Sequence, residues 1–311
     1  MKREQVMNSI ALKKRFCKDN NLPIVVYDNP YFYERLCVLD VLFGCVDKFE
    51  DFCKELLEYS CEQEYFEYYN YVKEAVISHI KNKKDYIRFN EEKFDLDTNT
   101  YKKQNLYTEP NNNRTFISID MKKANFSAMS LYSEQIFDNV KTWEEFMRQF
   151  TISEHIVNSK YIRQVILGAC NPKKQIQYEK YLMFNLLQDL IKNIKTLHVF
   201  SLGEDEIILY TEDCGYSFQK FKEILSGTSI GSVVRVTMFD LEMIKGTKGW
   251  LKTIYDFKNS DEIVEFKCLD AEIFHQVVKH YYKEPITDSD LVFYHNGNLA
   301  KFLKEVDNPW E

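Results

Sequence analysis

The sequence predicts an α+β protein. A mainly helical region over residues 1–110 precedes an antiparallel sheet with covering helices over 111–311, the latter with a helical insertion at 141–195. Three observations carry this. Apolar residues recur at helical spacing through the first third. Later come short runs rich in Val, Ile, Phe and Tyr, punctuated by Gly, Asn and Asp. Between the two lies a polar stretch, 93–113, ending Glu109-Pro110-Asn111-Asn112-Asn113, which reads as a linker. With 45% hydrophobic and 15% aromatic residues, this is a folding chain and not a disordered one. The net charge of −7 argues against a generally basic coat for nucleic acid and leaves room for local basic patches.

In order along the chain, Val6, Ile10 and Cys17 mark a first amphipathic helix, broken at Asn20-Asn21-Leu22-Pro23, and 24–27 is a short extended piece. Segments 31–43, 47–60 and 62–81 follow as helices, with Gly44 as a break. Tyr65, Phe66, Tyr68, Tyr69 and Tyr71 interleave with Lys73, Lys81, Lys83, Lys84 and Arg88, a composition able to stack bases and hold phosphates. The glutamates at 62, 64, 67 and 74 favour instead a buried aromatic face and a solvated charged one.

Residues 115–119 form a short strand ending at Asp120, and 124–136 a helix. Thr142-Trp143-Glu144-Glu145 opens a helix over 142–150 with a capping box. Lys160, Arg163 and Gln164 share a helical face. Gly168 to Pro172 interrupts that helix, and a second, strongly periodic one runs from Gln175 to Ile194. Two apolar runs, 197–202 and 207–210, flank Gly203-Glu204-Asp205-Glu206, a hairpin with carboxylates at its tip. A helix over 217–225, a strand over 231–244, and a hairpin of 250–257 and 263–268 around Asn259-Ser260-Asp261 come next. A helix over 274–282, a turn at 294–297 and a last short helix over 299–306 complete the chain.

The chemistry lies in the acids. Three adjacent carboxylates repel one another unless a cation sits among them, and a hard dication with oxygen ligands is such a cation. If the strand ending at Asp120 neighbours the hairpin, Asp120 and Asp205 converge and are placed to hold two Mg²⁺ ions about 4 Å apart, as two-metal phosphoryl transfer requires. Asp240 and Glu242, two apart on one strand, are a rival pair. His275 and His280, five apart, do not share a helical face, and no CxxC pair is present, so zinc is not expected. Cys37, Cys45, Cys53 and Cys61 recur every eight residues and read as small buried hydrophobes in a reducing compartment.

Asp120-Met-Lys-Lys-Ala124-Asn125-Phe126-Ser127 resembles the first palm motif of right-hand polymerases, and reverse transcriptases in particular. Glu204-Asp205-Glu206-Ile-Ile resembles the later palm hairpin, which in family A DNA polymerases reads His-Asp-Glu. The order of the two also matches, and the resemblance covers residues 115–242. It implies a polymerase-like palm and a metal-dependent nucleotidyltransferase: a small template-directed polymerase or primer-synthesising enzyme. Asp120, Asp205 and Glu206 would be its catalytic metal ligands, with Mg or Mn as cofactor. Lys160, Arg163, Lys173 and Lys174 would grip the nucleoside triphosphate, and the sugar gate would fall at Asn125 or Phe126. DNA or RNA and further subunits would be its partners. Glu204 replaces the family A His, and the Tyr-Gly that ends the basic helix of many DNA polymerases is absent. Gly203-Glu204-Asp205-Glu206-Ile207 also resembles the Gly-Gly-Asp-Glu-Phe signature of diguanylate cyclases, which implies a cyclic-dinucleotide or oligonucleotide synthase; a non-catalytic palm scaffold is the third possibility. No apolar leader and no membrane-length apolar run is visible, so a cytoplasmic protein is expected.

Overall fold

The structure, a computed structural model, describes residues 1–94, 101–194, 197–211, 218–256, 261–295 and 297–310. The fold is α+β, a helical stretch followed by a sheet with packed helices. Helices α1 (Arg3–Asn8), α2 (Ile10–Asp19), α3 (Tyr31–Phe43), α4 (Cys45–Leu56), α5 (Glu62–Lys81) and α6 (Lys84–Glu91) come first. The single first helix expected from the sequence is two, because the Ser9 hydroxyl accepts the Leu12 amide at 3.1 Å and starts a new one. Gly44, at φ +51°, lets the chain turn directly from α3 into α4. Tyr65 and Tyr69 are buried, as the core reading of the aromatic cluster requires, and Tyr71 is exposed. Of the four periodic cysteines expected to be buried, Cys45 and Cys53 are, whereas Cys37 and Cys61 are exposed, because an eight-residue spacing does not keep one helical face.

Strand β1 (Arg114–Met121) leads into helices α7 (Ala124–Tyr132), α8 (Trp143–Met147), α9 (Glu154–Asn158), α10 (Lys160–Gly168) and α11 (Pro172–Asn193). The helix expected over 124–136 stops at Tyr132, where Ser133 caps a 3-10 turn, Glu134–Phe137. Strands β2 (Val199–Leu202) and β3 (Glu206–Tyr210) make the acidic hairpin. Helix α12 (Phe218–Ser226) and strands β4 (Val234–Met243), β5 (Trp250–Asp256) and β6 (Asp261–Lys267) complete the main sheet. The turn residues Asn259 and Ser260 lie outside the described residues.

The sheet order is β2-β3-β1-β4-β5-β6, each neighbouring pair antiparallel. The path β1–helices–β2–β3–α12–β4 is a split βαβ arrangement. Side chains alternate across β1 with period two. Ile117, Ile119 and Met121 join Ile207 and Leu209 under α11 in the main core, with Met183, Leu186 and Leu190. Phe116, Ser118 and Asp120 point to the opposite face. One end of that face holds a small second core of Phe116, Phe200, Ile208, Phe239, Leu241 and Trp250, covered by Leu106. The described part of the expected linker therefore lies on the sheet. The Gln104 amide donates to Ser201 Oγ at 2.9 Å, and the Leu202 amide to the Lys102 carbonyl at 3.4 Å.

Helix α13 (Phe274–Tyr281) packs on α3, and strands β7 (Val292–His295) and β8 (Asn298–Lys301) form a separate antiparallel pair. The helix expected over 299–306 is absent. Leu299 and Ala300 have helical propensity, but their backbone pairs with Tyr294 and Phe293, and pairing overrides propensity. The main buried cluster is continuous from Val6 in α1 to Val278 in α13.

Candidate functional site

The hairpin tip and the end of β1 come together as their strand pairing dictates. Asp120 sits opposite Glu206 on β3 and opposite Arg235 on β4, and the Met121 amide donates to the Asp205 carbonyl at 2.9 Å. Gly203 closes the tip, its amide donating to the Glu206 carbonyl at 2.8 Å. A Cβ there would stand 3.3 Å from the same oxygen.

Each acid has a different environment. Asp120 meets the Arg235 guanidinium at 3.1 Å. Its carboxyl is nonetheless raised above the ordinary range, by burial first; Arg235 opposes this, and Glu206 and Asp205 reinforce it. Burial also raises the Asp205 carboxyl; a backbone hydrogen bond offsets part of this, and the charges of Glu206 and Glu204 add to it. Glu206 accepts from the Ser118 hydroxyl at 2.5 Å. Glu204 turns to lysines, 2.7 Å from Lys103 and 3.6 Å from Lys180, and its carboxyl is lowered, foremost by the Lys103 hydrogen bond.

Three further residues that sequence reasoning missed belong here. Glu179 on α11 is 4% exposed, and its Oε1 is buried without a hydrogen-bond partner. Burial, then Asp205 and Glu204, push its carboxyl up to about 7. Lys252 on β5 holds its ammonium 4.0 Å from the centroid of Phe239. Burial lowers its pKa, and the charges of Glu206 and Glu265 oppose that. Arg235 is the third. Its isolation between Val234 and Val236 in an apolar strand was the available signal; Glu179 had none, because only the packing of α11 brings it to the hairpin. A cavity of about 420 Å³ opens beside the tip, lined by Lys103, Tyr107, Ser201, Asp205, Glu206 and Lys252 among others.

The predicted phosphate-gripping residues are dispersed. Arg163, on α10, has its pKa lowered by burial, with the Glu144 charge opposing that; Glu144 itself pairs with Lys123 at 2.5 Å. Lys160 opens α10, which packs on α2 and α5. Lys174 donates to the Glu92 carbonyl and sits over Phe94, and Lys173 is exposed at the same helix start. No ion pair or hydrogen bond joins Lys160, Lys173 or Lys174 to the acidic tip among the described residues. The Asn125 amide donates to Gln175 Oε1 at 3.4 Å. Phe126 is buried against Phe137 and Trp143. Of the rival pair, Asp240 is held by Thr115 and Tyr255 at the far end of β4.

Among the described residues, no group of three or more His, Cys, Asp or Glu stands as a ready metal cage. The donor chemistry still suits Mg²⁺, which is held by one or two carboxylates together with substrate phosphates and water. Asp120 and Asp205 are the residues that would hold it: oxygen donors on adjoining chain segments, each raised by burial first and then by its neighbours' negative charge, which a cation would relieve. No helix among the described residues is long and apolar enough to cross a membrane. Comparison with protein-family models, curated proteins and solved structures found no match to this chain.

Proposed function

We propose that the chain is a metal-dependent nucleotidyltransferase with a polymerase-like palm, joining nucleoside monophosphate units from nucleoside triphosphates to the end of a DNA or RNA strand. One observation carries this reading. Asp120 and Glu206 face each other in register across β1 and β3, with Asp205 at the turn, on the sheet face away from the main helical core. In the reaction, a strand-end hydroxyl attacks the α-phosphorus of the triphosphate. A P–O bond forms to that oxygen as its proton passes to solvent, the bond to the bridging oxygen breaks, and pyrophosphate leaves with that electron pair.

Asp120 and Asp205, with Glu206, would hold the Mg²⁺ or Mn²⁺. When bound, the metal acidifies the attacking hydroxyl and offsets phosphate charge. Ser118 orients Glu206 through its hydroxyl. Arg235, 62% exposed at its side chain and now paired with Asp120, is free to transfer its guanidinium to a phosphate once Asp120 takes a cation. Lys252 and Lys103 present further positive charge to the same cavity, where it would stabilise the leaving pyrophosphate.

The test is incorporation of labelled dNTPs or NTPs with Mg²⁺ or Mn²⁺, on primed and unprimed templates, beside Asp120→Ala and a double Asp205→Ala, Glu206→Ala variant. Length-dependent ladders that vanish in both variants are expected. Short untemplated or cyclic product would replace the polymerase with a synthase. Absence of product together with absence of Mn²⁺ binding would leave the palm as a scaffold.

A further inference from the structure

A second cavity, of about 210 Å³, lies beside the hairpin and shares Lys103, Gly203 and Glu204 with the acidic one. Its other walls include Tyr101, Lys102, Lys180 and Phe184. The two spaces lie on opposite faces of the hairpin, Leu202 and Lys180 on the α11 side and Ser201, Ile208 and Lys252 on the other, so the trough from one to the other wraps around the tip of β2–β3 over the shared Lys103 and Glu204. The composition of the outer cavity is unlike the rest of this acidic chain: three lysines against one glutamate, with two partly exposed aromatic rings. Glu204 engages Lys103 and Lys180, whereas Lys102 has no carboxylate partner among the described residues. Its backbone is fixed, because its carbonyl accepts the Leu202 amide, so the side chain projects from a held edge.

We infer that this trough is a track for single-stranded nucleic acid. Tyr101 and Phe184 supply π-faces for a base, and Lys102 and Lys180 take the adjoining phosphates. Ring stacking combined with a cationic wall is the chemistry of strand binding without sequence preference. The outer cavity is smaller than the roughly 300–1,000 Å³ of pockets for drug-sized ligands, so it suits one ring system. A lone nucleotide would fill the outer cavity alone, whereas a strand bent around the hairpin tip would reach both. The inference rests on the nucleotidyltransferase reading for its purpose, since the track leads a strand end to Asp205, but the binding itself needs neither metal nor catalysis.

The experiment is therefore equilibrium binding in EDTA. Fluorescence anisotropy of labelled single strands of about 12 nucleotides, DNA and RNA, would be read at several salt concentrations. The variants are Lys102→Glu with Lys180→Glu, and Tyr101→Leu with Phe184→Leu, the latter keeping apolar bulk without a π-face. Each pair is expected to weaken binding roughly tenfold or more. Only the charge pair should flatten the salt dependence. Thermal midpoints equal to that of the unmodified protein identify folded variants. If the leucine pair unfolds, Lys102→Glu alone, at an exposed position, carries the test. The inference is overturned by undetectable binding, by binding unchanged in the variants, or by a mononucleotide that competes as well as the strand. Strand binding without incorporation would sink the catalytic reading and leave this one standing.

Discussion

Two arginine–aspartate pairs show how burial decides the worth of an identical contact. Arg35 meets Asp290 at 3.0 Å with side chains 3% and 1% exposed, and Asp290 also takes Lys279 at 2.6 Å and the Thr287 amide at 2.7 Å. Arg235 meets Asp120 at 3.1 Å with side chains 62% and 30% exposed. Asp290→Ala strands a buried guanidinium and is expected to cost about 3–5 kcal/mol in chemical denaturation. Arg235→Ala should change stability by no more than about 1 kcal/mol while lowering incorporation. A large stability loss at Arg235 would place it in the structural framework instead of the site. Neither pairing was legible in the sequence. Asp120 and the hairpin acids were visible because each sits beside a local turn signal, but their cations arrive from β4, α11 and the segment before β1, whose placement no local pattern specifies.

Among the elements, those set by neighbouring residues were read best. The periodic run at 62–81 is α5 to the residue, and Thr142 and Glu145 form the expected capping box at α8, with the Glu145 amide 3.1 Å from the Thr142 hydroxyl. Thr142→Ala removes that bond and is expected to cost about 1 kcal/mol, largely restored by Thr142→Ser; a denaturant midpoint equal in all three proteins would refute this. The elements misread were those whose state is set by a bond to a neighbouring segment and not by their own composition. β8 has the composition of a helix and becomes a strand because β7 offers it a ladder. The first helix divides at Ser9, whose hydroxyl both caps α2 and donates to Glu62. Glu179 looked like one more polar position on a periodic helix; its isolation at the hairpin follows from how α11 crosses β3.

Across the whole molecule, the pattern of shifted groups predicts a two-stage loss of stability in acid. His275 is buried, and its imidazole is held below the usual 6.5, by burial first and then by the Arg35 charge. The unfolded chain takes up a proton there that the folded one refuses, so stability falls as pH drops below about 6.5. Asp138 is held below the ordinary carboxylate range: burial raises it, and hydrogen bonds from Lys83 and His79 more than offset that. Its contribution is complete above about pH 4 and is lost as pH falls through its folded value. Urea midpoints measured from pH 8 to pH 3 should show the lower stage directly, and Asp138→Asn should remove it. In the upper window Glu179, raised to about 7, takes up a proton in the folded chain first and opposes the His275 loss, so that stage is read as the difference between the unmodified protein and His275→Gln; a difference that stays constant between pH 7 and pH 5 would exclude the His275 assignment.

The Arg35–Asp290 contact also has a consequence in time. The guanidinium on α3 finds its counter-charge 255 residues later, and α13, which packs on α3, likewise arrives late. While the chain is being made, α3 waits with an unpaired cation on the side it will bury. The contacts of α3 with α13 and Asp290 therefore form only after residue 290 has been made, and a chain stalled after the acidic hairpin would carry the candidate site on a helical layer that still lacks them.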